Sequence, residues 1–212
     1  MNRRARQILL RADAARGRLV LVLPSERHRA DGIRFAPRRA DGIRARLAEM
    51  QLRQPFANGM TLPLLGHPHR VRHSPGGGTI VAVAGGEIRV GGSAEGLPLR
   101  LAAWLRVEAR RLLAARATAL AASLGERVAR VSVRDTRSRW GSCSRAGALS
   151  FSWRLILAPE PVLGYVVAHE VAHLRVPDHS PRFWALVGEL CPGYPEARRW
   201  LKENGPALHR YG

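Results

Sequence analysis

Lysine, cysteine and long apolar runs are scarce in this sequence. Only one of its 35 basic residues is a lysine, Lys202, and its two cysteines, Cys143 and Cys191, allow at most one disulfide bond. Two cysteines exclude a disulfide-stapled scaffold and a zinc ribbon, and they fit a reducing compartment. No apolar run approaches the ~20 residues that a transmembrane helix requires, so we expect no membrane partner.

The remaining composition is that of an ordinary globular protein. Of 212 residues, 46% are hydrophobic and 24% are charged, which excludes a disordered, collagen-like or coiled-coil chain. The basic start resembles the first region of a signal peptide, but Arg11 and Asp13 interrupt the apolar stretch that would have to follow. We therefore expect a cytoplasmic protein that is not exported.

Basic residues outnumber acidic residues by 35 to 16, which gives a formal net charge of +19. The arginines are spread along the chain and are not concentrated in a tail. A nucleic-acid partner would explain this excess. A compositional bias of the genome towards arginine and alanine would explain it equally, so nucleic acid stays an open alternative.

The apolar pattern predicts strands in the first half of the chain and helices in the second. Two apolar runs around residues 13–17 indicate a β-hairpin, and glycine clusters between residues 62 and 92 indicate short antiparallel strands. Predicted further elements are a helix through Ile43, Leu47 and Met50, a long helix from about 95 to 124 that Gly125 stops, strands near 131–133 and 149–153, and helices at 160–175, 181–190 and 194–208. The predicted fold class is α+β, with a β-rich N-terminal lobe over residues 1–94 and a mostly helical half over residues 95–212 in one compact unit.

His169, Glu170 and His173 form an H-E-x-x-H sequence inside an apolar stretch. With 8 histidines and 11 glutamates, random order would produce this string only ~0.015 times per chain. Residues i and i+4 share one helix face, so both imidazoles can reach the same cation, and Glu170 lies beside them as a base for water. A non-catalytic zinc module would need the histidines but not the glutamate, which therefore favours an enzyme.

A catalytic zinc ion needs a third protein ligand, and two residues compete for this position. His179 follows His173 by six residues. Between them Val176 and Pro177 end the helix, so the chain turns and brings His179 back towards the pair. Glu189 on the following helix is the rival, and we expect its side chain to face solvent. The sequence therefore favours His179 as the third ligand.

Other residues with reactive side chains are weaker candidates. His67, His69 and His73 alternate along a predicted strand without an acidic neighbour, and we interpret them as surface histidines. Cys143 lies in the segment 137–144, where we expect packing against the zinc helix and an inert thiol.

Several stretches of the second half resemble the YgjP-like metallopeptidase family, which is similar to the SprT-like and WLM zinc peptidases. The stretches that carry the resemblance are R-S-R-W-G-S-C-S at 137–144, W-R-L at 153–155, Y-V-V-A-H-E-V-A-H-L at 165–174 and D-H-S-P-R-F-W at 178–184. The resemblance is dense over residues 130–205. It implies a zincin-like core in which His169, His173 and His179 bind zinc and Glu170 is the catalytic base.

The expected function is polypeptide hydrolysis by a zinc-dependent metallopeptidase with one zinc ion per chain and the substrate extended along a strand edge. We do not expect a metzincin, because Val176 stands where those enzymes have glycine and no methionine follows to form their turn. Tyr165, Tyr194 and Arg139 are candidates for the oxyanion donor by residue type. A DNA-associated protease of the SprT-like kind, with arginines on phosphates, is the alternative.

Overall fold

The computed structural model of the chain describes residues 7–13, 18–37, 54–76, 78, 81–136 and 139–212. Contacts group the chain into two compact units, Met1–Gln54 and Pro55–Gly212. Helices and strands both contribute to the fold, so the predicted α+β class is confirmed. The helix predicted from Ile43, Leu47 and Met50 lies outside the described residues.

The first unit contains the predicted β-hairpin and a helix. Strands β1 (Leu9–Asp13) and β2 (Arg18–Val22) pair antiparallel. Helix α1 covers residues 29–37 and follows a short 3-10 turn. Gly32 of α1 lies so close to the hairpin that a Cβ atom there would be 2.9 Å from Cδ2 of Leu21. Only glycine allows this approach without displacing the leucine.

Four strands open the second unit: β3 (Thr61–Leu64), β4 (His67–Ser74), β5 (Val81–Ala84) and β6 (Glu87–Gly91). They form one sheet in the order β3-β4-β6-β5. The prediction of antiparallel strands is wrong for one pair, because β4 and β6 run parallel, with Val71 opposite Ile88. β5 and β6 form an antiparallel hairpin, and β6 is the strand of this hairpin that pairs with β4. Because β5 runs opposite to β4, β6 runs in the same direction as β4.

Helix α2 (Leu97–Ser123) packs one apolar stripe into the core. Its buried side chains recur every four residues: Leu97, Leu101, Leu105, Ala109, Leu113, Ala117 and Ala121. Residues four apart are neighbours on the surface of a helix, so these side chains form one continuous row, in the same core as Leu62 and Val71 of the four-stranded sheet. Gly125, with φ +69°, ends the helix as predicted, because glycine adopts this left-handed conformation without strain.

Three further strands follow α2: β7 (Arg130–Arg134), β8 (Gly141–Cys143) and β9 (Ala148–Ser152). Their order is β7-β9-β8, with β9 parallel to β7 and antiparallel to β8. β8 lies in segment 137–144, outside the strands predicted near 131–133 and 149–153. Trp153, predicted as the end of a strand, instead begins a 3-10 helix (Trp153–Leu157). Among the described strands, β8 forms an edge of this sheet.

Three helices follow: α3 (Glu160–Ala172), α4 (Pro181–Leu190) and α5 (Tyr194–Leu208). α4 and α5 have the predicted bounds. α3 ends three residues earlier than predicted, because His173 is its C-cap. Across the described part of the chain, none of the helices combines the length and apolar character that crossing a membrane requires.

Arg154, in the 3-10 helix after β9, has a fully buried side chain. Its guanidinium pairs with the carboxylate of Asp135 and donates to the carbonyl oxygens of Tyr211 and Gly212 at 3.1 and 3.2 Å. It also lies 4.5 Å from the ring centroid of Trp153. Because Asp135 directly follows β7, this ion pair ties the end of β7 to the 3-10 helix.

Candidate metal centre

His169 and His173 lie one turn apart at the end of α3, and His179 lies between α3 and α4. The ring centroid of His169 is 5.0 Å from each of the other two, which are 4.8 Å from one another. The Nε2 atoms of His169 and His179 are 3.1 Å apart. One ring nitrogen from each histidine lies within 4.8 Å of the other two. The structure therefore brings together the three histidines that the sequence singles out.

Two hydrogen bonds hold the turn that returns His179 to the helix. Nδ1 of His173 donates to the carbonyl oxygen of Val176 at 3.0 Å. The carboxylate of Asp178 accepts the backbone N–H of Ser180, the N-cap of α4, at 3.1 Å. The turn is therefore fixed at both ends by residues close in sequence.

Phe183, in the first turn of α4, is buried among the three imidazoles. Its ring stacks on His173, with 4.4 Å between centroids and 28° between planes. It meets His169 and His179 nearly edge-on, at 4.9 and 4.8 Å. Close packing on one aromatic ring limits the rotation of all three imidazoles and so preorganises them.

Partial burial favours the neutral form of the His169 and His173 imidazoles. The pKa of His169 is lowered to about 4, chiefly by burial and further by the positive charges of His173, His179 and Arg198. Burial also lowers the pKa of His173, against the opposing effect of its hydrogen bond to Val176. A neutral imidazole offers the lone pair that a metal ion requires.

Glu170 lies beside the histidines on α3 with only 5% of its surface exposed. Burial raises its pKa to about 7, and the positive charge of Arg139 opposes this rise. A carboxyl group with this pKa can both accept and donate a proton near neutral pH.

Gly141, the first residue of β8, makes room for the Glu170 side chain. A Cβ atom at this position would lie 2.6 Å from Cγ and 2.7 Å from Cδ of Glu170, much closer than non-bonded carbon atoms approach. Trp140, the preceding residue, packs on Gly205 of α5, where a Cβ atom would lie 2.9 Å from the indole. β8, the strand within segment 137–144, thus packs against α3, as predicted for this segment.

The three imidazoles fit a divalent cation such as zinc. With Zn–N distances of ~2.0–2.1 Å, tetrahedral geometry separates two ligand nitrogens by ~3.3 Å, and the Nε2 atoms of His169 and His179 are 3.1 Å apart. Nδ1 of His173 is engaged with a backbone carbonyl, as is common for metal-binding histidines, and its Nε2 remains for the cation. Three nitrogen ligands leave the fourth position that catalytic sites keep open.

The rival ligand and the second histidine group lie outside this cluster. Glu189 is exposed on α4, as expected. In β4, Nδ1 of His69 donates a hydrogen bond to the carbonyl oxygen of His67 at 2.8 Å. Nε2 of His73 donates a hydrogen bond to the carbonyl oxygen of Gly92 at 2.6 Å. Within the described residues, the histidines of the α3 site are the only group of three or more metal-binding side chains close enough to share an ion.

The candidate oxyanion donors lie near the histidine cluster or near Glu170. The ring of Tyr165 meets His169 edge-on at 6.0 Å, and Tyr194 stacks on Tyr165 at 6.3 Å. Arg139 acts electrostatically on Glu170. All three therefore lie near the proposed reaction centre.

Sequence reasoning missed three contributions to the site. These are the space that Gly141 leaves for the carboxyl group of Glu170, the backbone acceptor at Val176 and the position of Phe183 among the imidazoles. The spacing of Phe183, four residues after His179 at the start of a predicted helix, is the signal that could have revealed its role. The other two contributions involve backbone, for which side-chain patterns give little signal.

Comparison with known families matches residues 6–204 to the YgjP-like metallopeptidase domain. No curated protein and no solved structure matches the chain significantly. The matched range contains the histidine cluster and Glu170. The metal-binding geometry agrees with a family of metal-dependent peptidases. The chain therefore belongs to the YgjP-like metallopeptidase family, as the resemblance of its motifs predicted.

Proposed function

We propose that the protein is a zinc-dependent metallopeptidase in which His169, His173 and His179 hold one zinc ion and Glu170 is the general base. The observation that carries this proposal is a buried carboxyl group beside three converging imidazoles. When bound, zinc supplies Lewis acidity, which lowers the pKa of a water molecule and polarises the scissile carbonyl group.

Glu170 performs the proton transfers in this proposal. Its carboxylate accepts a proton from the attacking water and donates it to the leaving amine. A pKa raised to about 7 by burial suits a group that must do both. Gly141 keeps the carboxyl group in position, because the backbone of β8 lies directly against it.

The substrate in this proposal is an extended polypeptide bound at the edge of β8. β8 pairs with β9 on one side, and no described strand covers its other side. An open edge can add a peptide as a further strand through backbone hydrogen bonds. Because Gly141 of β8 contacts Glu170, a peptide on this edge would pass the catalytic base.

Catalysis is assigned in this proposal to residues 95–212, a zincin-like half that carries all four site residues, with residues 1–94 as a β-rich N-terminal lobe. The cytoplasm is the proposed location. The thiols of Cys143 and Cys191, which are both unpaired, support a reducing compartment.

Replacing His179 with alanine tests the ligand set and the function together. We expect zinc affinity to fall by more than ~100-fold, since the loss of even an outer partner of a zinc ligand costs ~10- to 100-fold. Casein hydrolysis is expected to disappear at zinc concentrations that saturate the wild type. Affinity is measured by competition with a chromophoric chelator at fixed pH.

Glu189→Ala is the matched control, because Glu189 is exposed on α4 and is the rival ligand. This variant is expected to retain both zinc affinity and hydrolysis. If His179→Ala binds zinc normally and Glu189→Ala does not, the third ligand is Glu189 and the proposed ligand set is wrong.

A further inference from the structure

A row of stacked rings leads away from the histidine cluster. Trp184 of α4 stacks on His179, with 5.9 Å between ring centroids, and Tyr194 of α5 stacks on Trp184 at 5.6 Å. Tyr165 stacks on Tyr194 and meets His169 edge-on. We call Trp184, Tyr194 and Tyr165 the ring wall. Trp184 and Tyr194 are partly exposed, so a substrate bound at the histidines can contact the wall.

Arg198 of α5 lies on the ring wall without an acidic partner. Its guanidinium carbon is 4.6 Å from the ring centroid of Trp184, and the side chain is exposed. No carboxylate among the described residues forms an ion pair with it, whereas the neighbouring Arg199 pairs with Glu196 at 3.7 Å. The guanidinium therefore has donors free for a ligand.

Arg198 lies near the histidine cluster, because it contacts Trp184 and Trp184 in turn stacks on His179. Arg139 is a second cation at the site, where it acts on Glu170, and within the described part of the chain it too has no ion pair. Two cations near one site attract anionic ligands and repel cationic ones.

We propose that Arg198, held on Trp184, binds a carboxylate of the substrate beside the scissile bond and gives the enzyme a preference for acidic peptides. Contact with the indole limits the movement of the guanidinium group, and the N–H edge of such a group matches a carboxylate in two parallel hydrogen bonds. This inference rests on the proposed peptidase function. The carboxylate belongs either to an aspartate or glutamate side chain or to the C-terminus of the peptide.

Cleavage-site profiling of a peptide library tests the subsite. The zinc-loaded enzyme digests a mixture of peptides, half of them amidated at the C-terminus, and mass spectrometry identifies the cut bonds. We expect Asp and Glu to be enriched about tenfold over Asn and Gln at one position beside the cut. If the C-terminal carboxylate is the ligand, cuts instead lie near free C-termini and amidation abolishes them.

The same cleavage-site profiling is repeated with two arginine variants, one at the proposed subsite and one control. Arg198→Gln is expected to lose the preference for carboxylates. Arg199→Gln removes the same charge from the adjacent position of α5, where it already has the partner Glu196, and is expected to keep the preference. Loss of the preference in both variants or in neither contradicts a subsite at Arg198.

Binding without turnover separates this inference from the proposed function. Zinc-loaded Glu170→Gln is titrated calorimetrically with a cut-site peptide and with its amide counterpart. The acidic peptide is expected to bind about tenfold more tightly, and adding Arg198→Gln is expected to remove the difference. Equal affinities, with hydrolysis by the wild type intact, would overturn the subsite alone. If the zinc-loaded wild type cuts no peptide of the library, the peptidase function fails and the subsite fails with it.

Discussion

Replacing Glu170 with glutamine is expected to reduce peptide hydrolysis by ~100- to 10,000-fold, the usual contribution of a positioned general base. The amide has nearly the size of the carboxyl group, so it fits the narrow space beside Gly141. It cannot accept a proton from water. The three histidines are untouched, so zinc content and melting temperature are expected to match those of the wild type.

Hydrolysis of casein at saturating zinc measures this effect, together with metal analysis and a thermal melt of the same sample. Glu189→Gln is the matched control, because it makes the same chemical change on the exposed face of α4. We expect the control to keep full activity. Undiminished turnover by zinc-loaded Glu170→Gln would remove Glu170 from the role of base.

Gly141→Ala is expected to lower hydrolysis by about 100-fold without touching a ligand or the base. The new methyl group would lie 2.6 Å from Cγ of Glu170, and that side chain is buried, so the carboxyl group has to move. A misplacement of ~1 Å at a reacting group costs ~100-fold in rate. Gly141 does not have a positive φ, so the effect is steric and not a backbone strain. The crowding is also expected to lower the free energy of unfolding by ~1–3 kcal/mol.

Gly164→Ala on α3 is the control for this steric effect. The nearest atom to its new Cβ would be Nη1 of Arg116 at 3.7 Å, an ordinary contact. Alanine also favours the helix by up to ~1 kcal/mol over glycine, so we expect unchanged hydrolysis and equal or higher stability. Steady-state kinetics at saturating zinc compare the hydrolysis rates of Gly141→Ala and Gly164→Ala with that of the wild type. Full activity in Gly141→Ala would mean that β8 does not position Glu170.

The parts of the fold that the sequence predicted correctly are those determined by neighbouring residues. Gly125 ends α2 because glycine readily adopts the left-handed conformation. Pro181 begins α4 directly after its N-cap Ser180, because the fixed φ angle of proline suits the first position of a helix. The histidine cluster is also local, because one helix turn and one short loop bring all three rings together. A spacing pattern within eleven residues was therefore sufficient to predict it.

The parts that sequence reasoning missed depend on residues far apart in the chain. The parallel pairing of β4 with β6 depends on where the β5 hairpin folds, and adjacent residues do not encode this choice. β8 exists as a strand because β9 supplies its partner. The contact of Gly141 with Glu170 and that of Arg198 with Trp184 likewise join separate elements. Periodicity within one element cannot predict such contacts.

Titration of zinc into metal-free protein, with peptide hydrolysis measured at each step, tests the central claim most directly. Removal of the metal by a chelator is expected to stop hydrolysis and to lower the melting temperature, because a ligand that binds only the folded state stabilises it. Added zinc should restore both, with a break at one ion per chain, as the one cluster found among the described residues, His169, His173 and His179, predicts. Metal-free protein that hydrolyses peptides as fast as the zinc-loaded protein would contradict the account.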